Sequence, residues 1–334
     1  MGAWKKIVDY TVPSNTTSVE FTGLNITKDD FIMVSNTAVN TSSTGGMAYM
    51  LFPNNETNVS DYVTQRLTAV GSSVSASRFT IQTPRINDAL INATSTAFSY
   101  LKLSENNTYN IFSNINLTNA TDLGISFEYS TSVNVTLPEG VNKLTFSSNQ
   151  TNGLGVGSRI QIYKLVAEKV ADITVTANTT QVDILGLDIK KGDEYLLVSE
   201  FKREDNATLY LGCNGDTNEN NYWYQRIVAG ASSDGLDVSA GRSNVPTFIQ
   251  TGSTEFNGLS YTHIKLSNIG AFTFQSYGIS GVGRENRIGV YNWFVSSLSE
   301  NITNINQLNI FRGVNNIGVG SRFELYKLYE EGGN

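Results

Sequence analysis

Alternation of apolar and polar residues with a period of two dominates the chain. Val19 and Phe21 alternate with Ser18 and Glu20, and the same pattern returns at Val182 and Ile184. Successive side chains of a β-strand point to opposite faces, so this pattern predicts strands with one buried face. Continuous apolar pieces, such as 31–34 and 195–198, predict strands that are buried on both faces. Ser297 to Leu308 could form one or two helical turns, although its polar and β-branched residues disfavour a helix.

Two segments of the chain are nearly identical and lie about half the chain apart. Gly155-Val-Gly-Ser-Arg-Ile-Gln-Ile-Tyr-Lys-Leu165 recurs as Gly318-Val-Gly-Ser-Arg-Phe-Glu-Leu-Tyr-Lys-Leu328. Asn15-Thr-Thr-Ser-Val-Glu-Phe-Thr-Gly-Leu24 pairs in the same way with Asn178-Thr-Thr-Gln-Val-Asp-Ile-Leu-Gly-Leu187. A repeat that runs from end to end indicates two copies of one module.

We therefore divide the chain into module 1 (residues 1–166), module 2 (167–329) and a short acidic tail (330–334). Few residues separate the last strand of module 1 from the first strand of module 2, which predicts a short, stiff connection. About eight strands per module of roughly 160 residues predict an all-β fold. The expected architecture is two tandem jelly-roll-like antiparallel β-sandwich modules.

Residues that favour turns lie between the predicted strands. Asn-Gly pairs at 152–153, 214–215 and 257–258, together with 138–140 and 233–235, predict tight turns. The repeated Gly-Val-Gly segments at 155–157 and 318–320 fit turns in which glycine takes a positive φ, and each leads into a strand.

Composition excludes several classes of function. The chain has one cysteine, Cys213, and one histidine, His263, so it can form neither an internal disulfide nor the usual Cys/His zinc site. A catalytic triad would have to use His263, for which a structural role is favoured. The net charge of −7, without a basic run, argues against nucleic-acid binding. No apolar stretch approaches the roughly 20 residues of a membrane helix, so we expect no membrane insertion.

The densest aromatic segment is Tyr222-Trp-Tyr-Gln-Arg226, which follows Asn220 and Asn221. Aromatic rings stack on the apolar faces of sugars and amides supply hydrogen bonds, so Tyr222, Trp223, Tyr224, Asn220 and Asn221 are the candidate ligand or partner contacts.

The alternative, which the pattern favours, is an ordinary strand. In this interpretation Trp223 and Ile227 face the core, as Val63 and Leu67 do in module 1, while Tyr222, Tyr224 and Arg226 line the other face. Gln65 and Gln225 would then occupy equivalent, core-facing positions, and each would need a buried hydrogen-bond partner.

Acidic residues suggest two further sites, both of which have simpler interpretations. Asn214-Gly-Asp-Thr217 contains oxygen ligands of the kind that calcium binds, but a single acid favours a turn. Paired carboxylates hydrolyse glycosides, yet Asp29-Asp30 and Glu330-Glu331 are adjacent in sequence, which favours solvated charge. We therefore predict no catalytic residue, no metal site and no cofactor.

An ordered series of motifs carries a family resemblance. It comprises an opening Trp4-Lys-Lys-Ile, Val19-X-Phe21, the apolar strand 31–34, Leu211-Gly-Cys-Asn-Gly-Asp-Thr217, Asn221-Tyr-Trp-Tyr-Gln-Arg226, and a closing Gly-Ser-Arg-Phe-X-Leu-Tyr over 320–326. With these motifs the module resembles a widespread set of small β-sandwich proteins of tailed-bacteriophage virions. Module 1 departs from the pattern at Pro53-Asn-Asn-Glu-Thr57, where the family has Asn-Gly-Asp-Thr.

The resemblance implies a non-enzymatic protein on the virion surface, made in the host cytoplasm. The expected role is capsid decoration or a head fibre attached through one module, because a tail shaft would often show a coiled-coil or β-helix repeat. The alternative is a tail-associated receptor- or carbohydrate-binding protein. Expected partners are other virion proteins (the major capsid protein or tail components), further copies of the chain, and a host surface glycan.

Overall fold

The computed structural model describes residues 3–41, 46–70, 73–79, 84–89, 93–118, 123–202, 207–229, 236–240, 247–251, 258–280, 289–299, 301–312 and 316–329. These residues form β-strands and two short 3-10 turns, Val59–Asp61 and Glu219–Asn221. The described part of 297–308 joins two strands and contains no helix, so the helical alternative for that segment is wrong. No helix in the described ranges is long and apolar enough to cross a membrane.

The chain divides into two compact units. One is Trp4–Val166, and the other contains the described residues of Ala167–Val282 and Arg287–Asn334. Only Val166 and Ala167 lie between the last strand of the first unit and the first strand of the second. The acidic tail, with Glu330 and Glu331, lies outside the described residues.

The described residues of module 1 form twelve strands. They are β1 Trp4–Thr11, β2 Ser18–Ile26, β3 Ile32–Val39, β4 Met47–Pro53, β5 Tyr62–Val70, β6 Ser73–Phe79, β7 Arg85–Ala89, β8 Thr94–Leu103, β9 Tyr109–Thr118, β10 Leu123–Ser132, β11 Val141–Ser148 and β12 Arg159–Leu165.

Module 2 also forms twelve strands within its described residues. They are β13 Glu168–Thr174, β14 Gln181–Lys190, β15 Glu194–Phe201, β16 Ala207–Cys213, β17 Tyr222–Ala229, β18 Leu236–Ala240, β19 Thr247–Thr251, β20 Gly258–Leu266, β21 Phe272–Ser280, β22 Gly289–Ser297, β23 Asn304–Phe311 and β24 Arg322–Tyr329.

Both modules use one topology of two antiparallel sheets. Module 1 has an eight-stranded sheet in the order β1-β12-β3-β8-β9-β10-β5-β6 and a four-stranded sheet in the order β2-β11-β4-β7. The sheets of module 2 follow the same orders with every strand number raised by twelve. The predicted all-β class of jelly-roll-like antiparallel sandwiches is confirmed. The predicted eight strands per module is too low, because period-two alternation does not count strands where turns are short and several strands are buried on both faces.

The core of each module lies between its two sheets. In module 1, Tyr49 and Phe146 of the smaller sheet stack with ring centroids 5.9 Å apart and pack with Ile111 and Ile162 of the larger sheet. Tyr109 of β9 donates from its hydroxyl to the carbonyl oxygen of Leu51 in β4 at 3.0 Å, which joins the sheets. Tyr195 to Val198, predicted to lie in a strand covered on both faces, are all buried.

Turn chemistry follows the sequence closely. Asn152, Asn214 and Gly215 take positive φ, as do Gly140 and the second glycine of each Gly-Val-Gly segment, Gly157 and Gly320. These are conformations that Asn and Gly adopt at low cost, which confirms these predicted turns. Asn257 and the turn at 233–235 lie outside the described residues.

An exposed ion pair recurs at the same place in each module. Arg159 of β12 binds Asp9 of β1 through two nitrogens, both at 2.9 Å. Arg322 of β24 binds Asp172 of β13 at 2.9 and 2.7 Å. The guanidinium lowers the pKa of each aspartate well below its usual range through these hydrogen bonds.

Candidate functional site

The loop that precedes β17 is organised by its own side chains. Asn218 caps the 3-10 turn Glu219–Asn221, and its Oδ1 accepts from the backbone N–H of Asn220 at 3.2 Å. Both carboxylate oxygens of Asp216 accept from Nδ2 of Asn221, at 3.1 and 3.0 Å. Asp216 also accepts from the backbone N–H of Asn218 at 3.1 Å. Internal donors therefore account for the oxygens that the calcium alternative would use, and the predicted turn at Asn214-Gly215 is confirmed.

Tyr222 is a core residue whose hydroxyl binds the backbone of this loop. Its ring is fully buried, and its hydroxyl donates to the carbonyl oxygen of Asp216 at 3.0 Å. The same hydroxyl accepts from the backbone N–H of Cys213 at 3.4 Å. Burial raises the pKa of the Tyr222 hydroxyl, so it stays protonated as the donor that the loop requires. Tyr222 does not face solvent.

The predicted facing of β17 is wrong. Tyr222 and Tyr224 pack on the core, and Trp223 lies on the opposite face of the sheet with 39% of its surface exposed. A shift of one residue exchanges the two faces of a strand, and the anchored hydroxyl of Tyr222 decides which face is inner. The side chains of Arg226 and Ile227 lie outside the described residues.

Val63 and Leu67 of module 1 do not indicate which face of β17 is inner, because both faces of the equivalent strand β5 are buried. Tyr62 packs in the core between the sheets, yet Val63 and Leu67 on the opposite face are also buried. Apolar residues at these positions therefore do not mark the inner face. Gln65 and Gln225 do occupy equivalent register positions, opposite Tyr129 and Phe294 respectively. Gln65 is buried, but on the face opposite the core, and Gln225 is exposed, so the predicted core-facing position is wrong for both.

A second exposed aromatic residue lies beside Trp223. Trp223 pairs across the sheet with Ser296 of β22, and Gln225 pairs with Phe294, whose side chain is 47% exposed. Residues paired across antiparallel strands share a face, so the two rings are diagonal neighbours on the outer face. Gln275 of β21 lies opposite Phe294 on the same face and donates to Asn292 Oδ1 at 3.4 Å. We call Trp223, Gln225, Phe294, Ser296 and Gln275 the Trp223 face.

The Trp223 face is uncharged and combines apolar rings with amide and hydroxyl groups. This is the composition that ring stacking and hydrogen bonding to a neutral polar ligand require. Of the five candidate contacts, only Trp223 belongs to it. Tyr222 and Tyr224 serve the core, Asn221 binds Asp216, and Asn220 is exposed on the loop with its Nδ2 donating to Asn218 Oδ1 at 3.2 Å.

The candidates missed by the sequence are Phe294 and Gln275. The aromatic run Tyr291-Asn-Trp-Phe294 was the available signal, since it contains three aromatic residues, as does the segment at 222–224. Its relation to Trp223 depends on the pairing of β17 with β22, which joins residues about seventy positions apart and has no local sequence signature.

The remaining titratable candidates have structural roles. Asp30 accepts from the backbone N–H of Thr27 at 2.9 Å and pairs with Lys164 at 2.7 Å, so the prediction of solvated charge is wrong for Asp30. His263 lies half-buried on β20, and burial lowers its pKa. The described residues contain no group of three or more His, Cys, Asp or Glu side chains that is placed to hold a metal ion.

Comparison with known proteins assigns neither a family nor a function to the chain. No family model matches the chain, and no curated protein matches it. Among solved structures, the chain is similar to "Mouse laminin alpha1 chain, domains LG4-5", with 10% sequence identity over 99% of this chain and 91% of that chain and a TM-score of 0.21. A TM-score of this size supports no conclusion about the fold or the function of this chain.

Proposed function

We propose that the chain is a non-enzymatic structural protein on the surface of a tailed-bacteriophage virion, where it serves as a capsid decoration or head-fibre protein. Its partners are the major capsid protein or tail components, and it is made in the host cytoplasm before it joins the particle. The virion assignment comes from the resemblance of the ordered motifs to phage β-sandwich proteins. Attachment through one module leaves the other to face outward.

One structural observation supports this proposal. The two modules share strand order and register but present different residues at equivalent outer positions, since Val63 is buried where Trp223 is exposed. A duplicated scaffold with divergent surfaces suits a protein that attaches with one copy and presents the other. Many copies on a symmetric particle, or further copies of this chain bound to each other, turn weak docking into durable attachment.

The test is antibody labelling of intact particles, viewed by electron microscopy. Label over the head supports decoration, whereas label at the tail tip supports the alternative below. Particles without label, in a preparation in which the protein is detected by immunoblot of the lysate but not of purified virions, would refute a virion role. Particles of an unrelated phage provide the control for antibody specificity.

The alternative is a tail-associated protein that binds a host surface glycan, and the Trp223 face supports it. Two partly exposed aromatic rings beside two amides match the needs of sugar recognition. A glycan array with the full chain tests this role. Specific binding that is lost in Trp223→Ala and kept in Phe98→Ala supports it, because Phe98 is an equally exposed aromatic residue of module 1. Binding that survives Trp223→Ala, or no binding at all, refutes it for this face.

A further inference from the structure

A cluster of charged residues lies inside module 1 between the two sheets. Arg66 of β5 and Glu128 of β10 are directly opposite in register, and Arg66 Nε lies 2.7 Å from Glu128 Oε1. The same guanidinium reaches Asp88 of β7, with Nη2 3.2 Å from Oδ2. Arg85, also on β7, lies 3.3 Å from Asp88 Oδ1. One guanidinium therefore brings two carboxyl groups from different sheets together.

Glu128 is the most deeply buried member of this cluster. Its side chain is fully buried, and the hydroxyl of Ser126 lies 3.5 Å from Oε1. Its Oε2 receives no hydrogen bond from any described residue. Two nitrogens of the single Arg66 guanidinium contact Glu128 and Asp88, so the two carboxyl groups lie close together. Two ionised carboxylates held this close in a desolvated interior repel each other, which favours protonation of one of the two.

Module 2 has the same fold and keeps only one of these charges, since Arg226 stands at the register position of Arg66. Register equivalence places Trp293 at the position of Glu128, Gln250 at that of Asp88 and Thr247 at that of Arg85. Trp293 is buried in the apolar core and packs edge-on against Tyr224, with ring centroids 5.1 Å apart. The sandwich therefore folds with an apolar residue at this point, and the acid pair is a feature of module 1 alone.

From this geometry we infer that Asp88 and Glu128 share one proton at neutral pH, held by Glu128, and that the pair links the stability of module 1 to pH. We place the proton on Glu128 Oε2, the oxygen for which no described residue is a hydrogen-bond partner. Asp88 stays ionised between Arg66 and Arg85.

The groups around the pair agree with this assignment. Arg66 faces it from β5, Arg85 from β7 and Tyr49 from β4, while β9 contributes the uncharged Ser113 opposite Glu128. Burial, followed by the charge of Asp88, raises the pKa of Glu128 well above its usual range, and Arg66 offsets this only in part. Burial also raises the pKa of Asp88, to about 6, against the opposing effect of Arg66.

The direction of the pH dependence follows from proton linkage. In the unfolded chain Glu128 releases its proton above a pKa of about 4.5, whereas in folded module 1 it keeps the proton. Unfolding therefore releases a proton. Between the unfolded-state and the folded-state pKa of Glu128, the unfolding equilibrium constant of module 1 rises about tenfold per pH unit, so module 1 becomes less stable as pH rises. Asp88 adds to the same trend up to about pH 6. Module 2 has Trp293 at the equivalent position and lacks this contribution.

The direct experiment is a carboxyl carbon-13 NMR titration of the full chain labelled at glutamate. We expect one Glu signal with the shift of a protonated carboxyl at pH 7, and we expect this signal to be missing from Glu128→Gln. A spectrum in which every glutamate is ionised at pH 7 overturns the inference. This readout on the unaltered protein holds even if a variant fails to fold.

Hydrogen exchange of β10 and β22 amides, measured at several pH values and corrected for intrinsic rates, tests the linkage. The amide of Glu128→Gln can donate to Asp88 and accept from Arg66 as the protonated acid does, so we expect β10 protection at pH 8 to match or exceed the unaltered chain and to lose its pH slope. Glu20→Gln, at an exposed acid of β2, is the matched control and should keep the slope. If Glu128 is instead ionised and paired with Arg66, Glu128→Gln should lose β10 protection, and that result would overturn the inference.

Discussion

Tyr62 and Tyr222 close the same loop in the two modules. The hydroxyl of Tyr62 donates to the carbonyl oxygen of Glu56 at 2.7 Å, and that of Tyr222 donates to the carbonyl oxygen of Asp216 at 3.0 Å. Each tyrosine begins its strand directly after a 3-10 turn that an asparagine caps. The loop sequences differ, Asn54-Asn-Glu-Thr57 against Asn214-Gly-Asp-Thr217, but the anchor is the same.

Removal of either hydroxyl should destabilise its own module. We expect Tyr62→Phe and Tyr222→Phe each to cost about 1–2 kcal/mol, because a carbonyl oxygen loses its donor beside a buried ring. Urea denaturation of the full chain, followed by hydrogen exchange to assign the affected module, measures the loss. Tyr10→Phe is the control. It also removes one hydroxyl, but it keeps the ring that packs edge-on against Phe21. Losses no larger than that of Tyr10→Phe would contradict the anchoring role.

The two tryptophans of module 2 on neighbouring strands should respond very differently to truncation. Trp293 is 1% exposed and lies in the core, so Trp293→Ala should cost about 3–5 kcal/mol through lost packing and a cavity. Trp223→Ala should cost about 1 kcal/mol, since its ring is partly exposed on the outer face. Thermal or urea unfolding distinguishes them, and equal losses would show that Trp223 serves the fold rather than the Trp223 face.

Arg66 should be essential to module 1, because it contacts both the buried Glu128 and the partly buried Asp88. Arg66→Met leaves Glu128 and Asp88 without the cation they share, and we expect a loss of about 3 kcal/mol in module 1 stability. Arg226→Met is the register-matched control in module 2, where the opposing residue is Trp293. Denaturation with module-resolved hydrogen exchange provides the measurement, and a larger loss in Arg226→Met would argue against the charge cluster as the cause.

The exposed aspartates predict a loss of stability on the acid side. Arg159 and Arg322 lower the pKa of Asp9 and Asp172 below the unfolded value of 3.8. The stabilisation is therefore complete above that value and declines as pH falls below it, since the folded state binds the proton less readily than the unfolded state. Acid titration of unfolding should show a shallower decline in Asp9→Asn and Asp172→Asn, and the decline in the unaltered chain should weaken at high salt. An unchanged acid profile in both variants would refute this role.

Much of the fold could be predicted from local patterns, whereas the site could not. Val19 and Phe21 against Ser18 and Glu20 mark a half-buried strand directly, because one face of β2 is covered and the other is open. At β5 the same reasoning fails, since Val63 and Tyr62 are both buried and alternation no longer identifies the inner face. For this reason the sequence pattern placed Trp223 on the core face of β17, whereas the structure places it on the outer face.

By itself, the sequence determined the strands, the turns at Asn and Gly, and the duplication of one module, because each of these depends on residues that are close together or on direct repetition. Tertiary structure decided which side of β17 is inner, which strands pair, and where charge is buried. Arg66, Asp88 and Glu128 come from three strands and two sheets and meet only when the sandwich closes. Their chemistry arises from a shared, desolvated interior, which no local pattern of residues encodes.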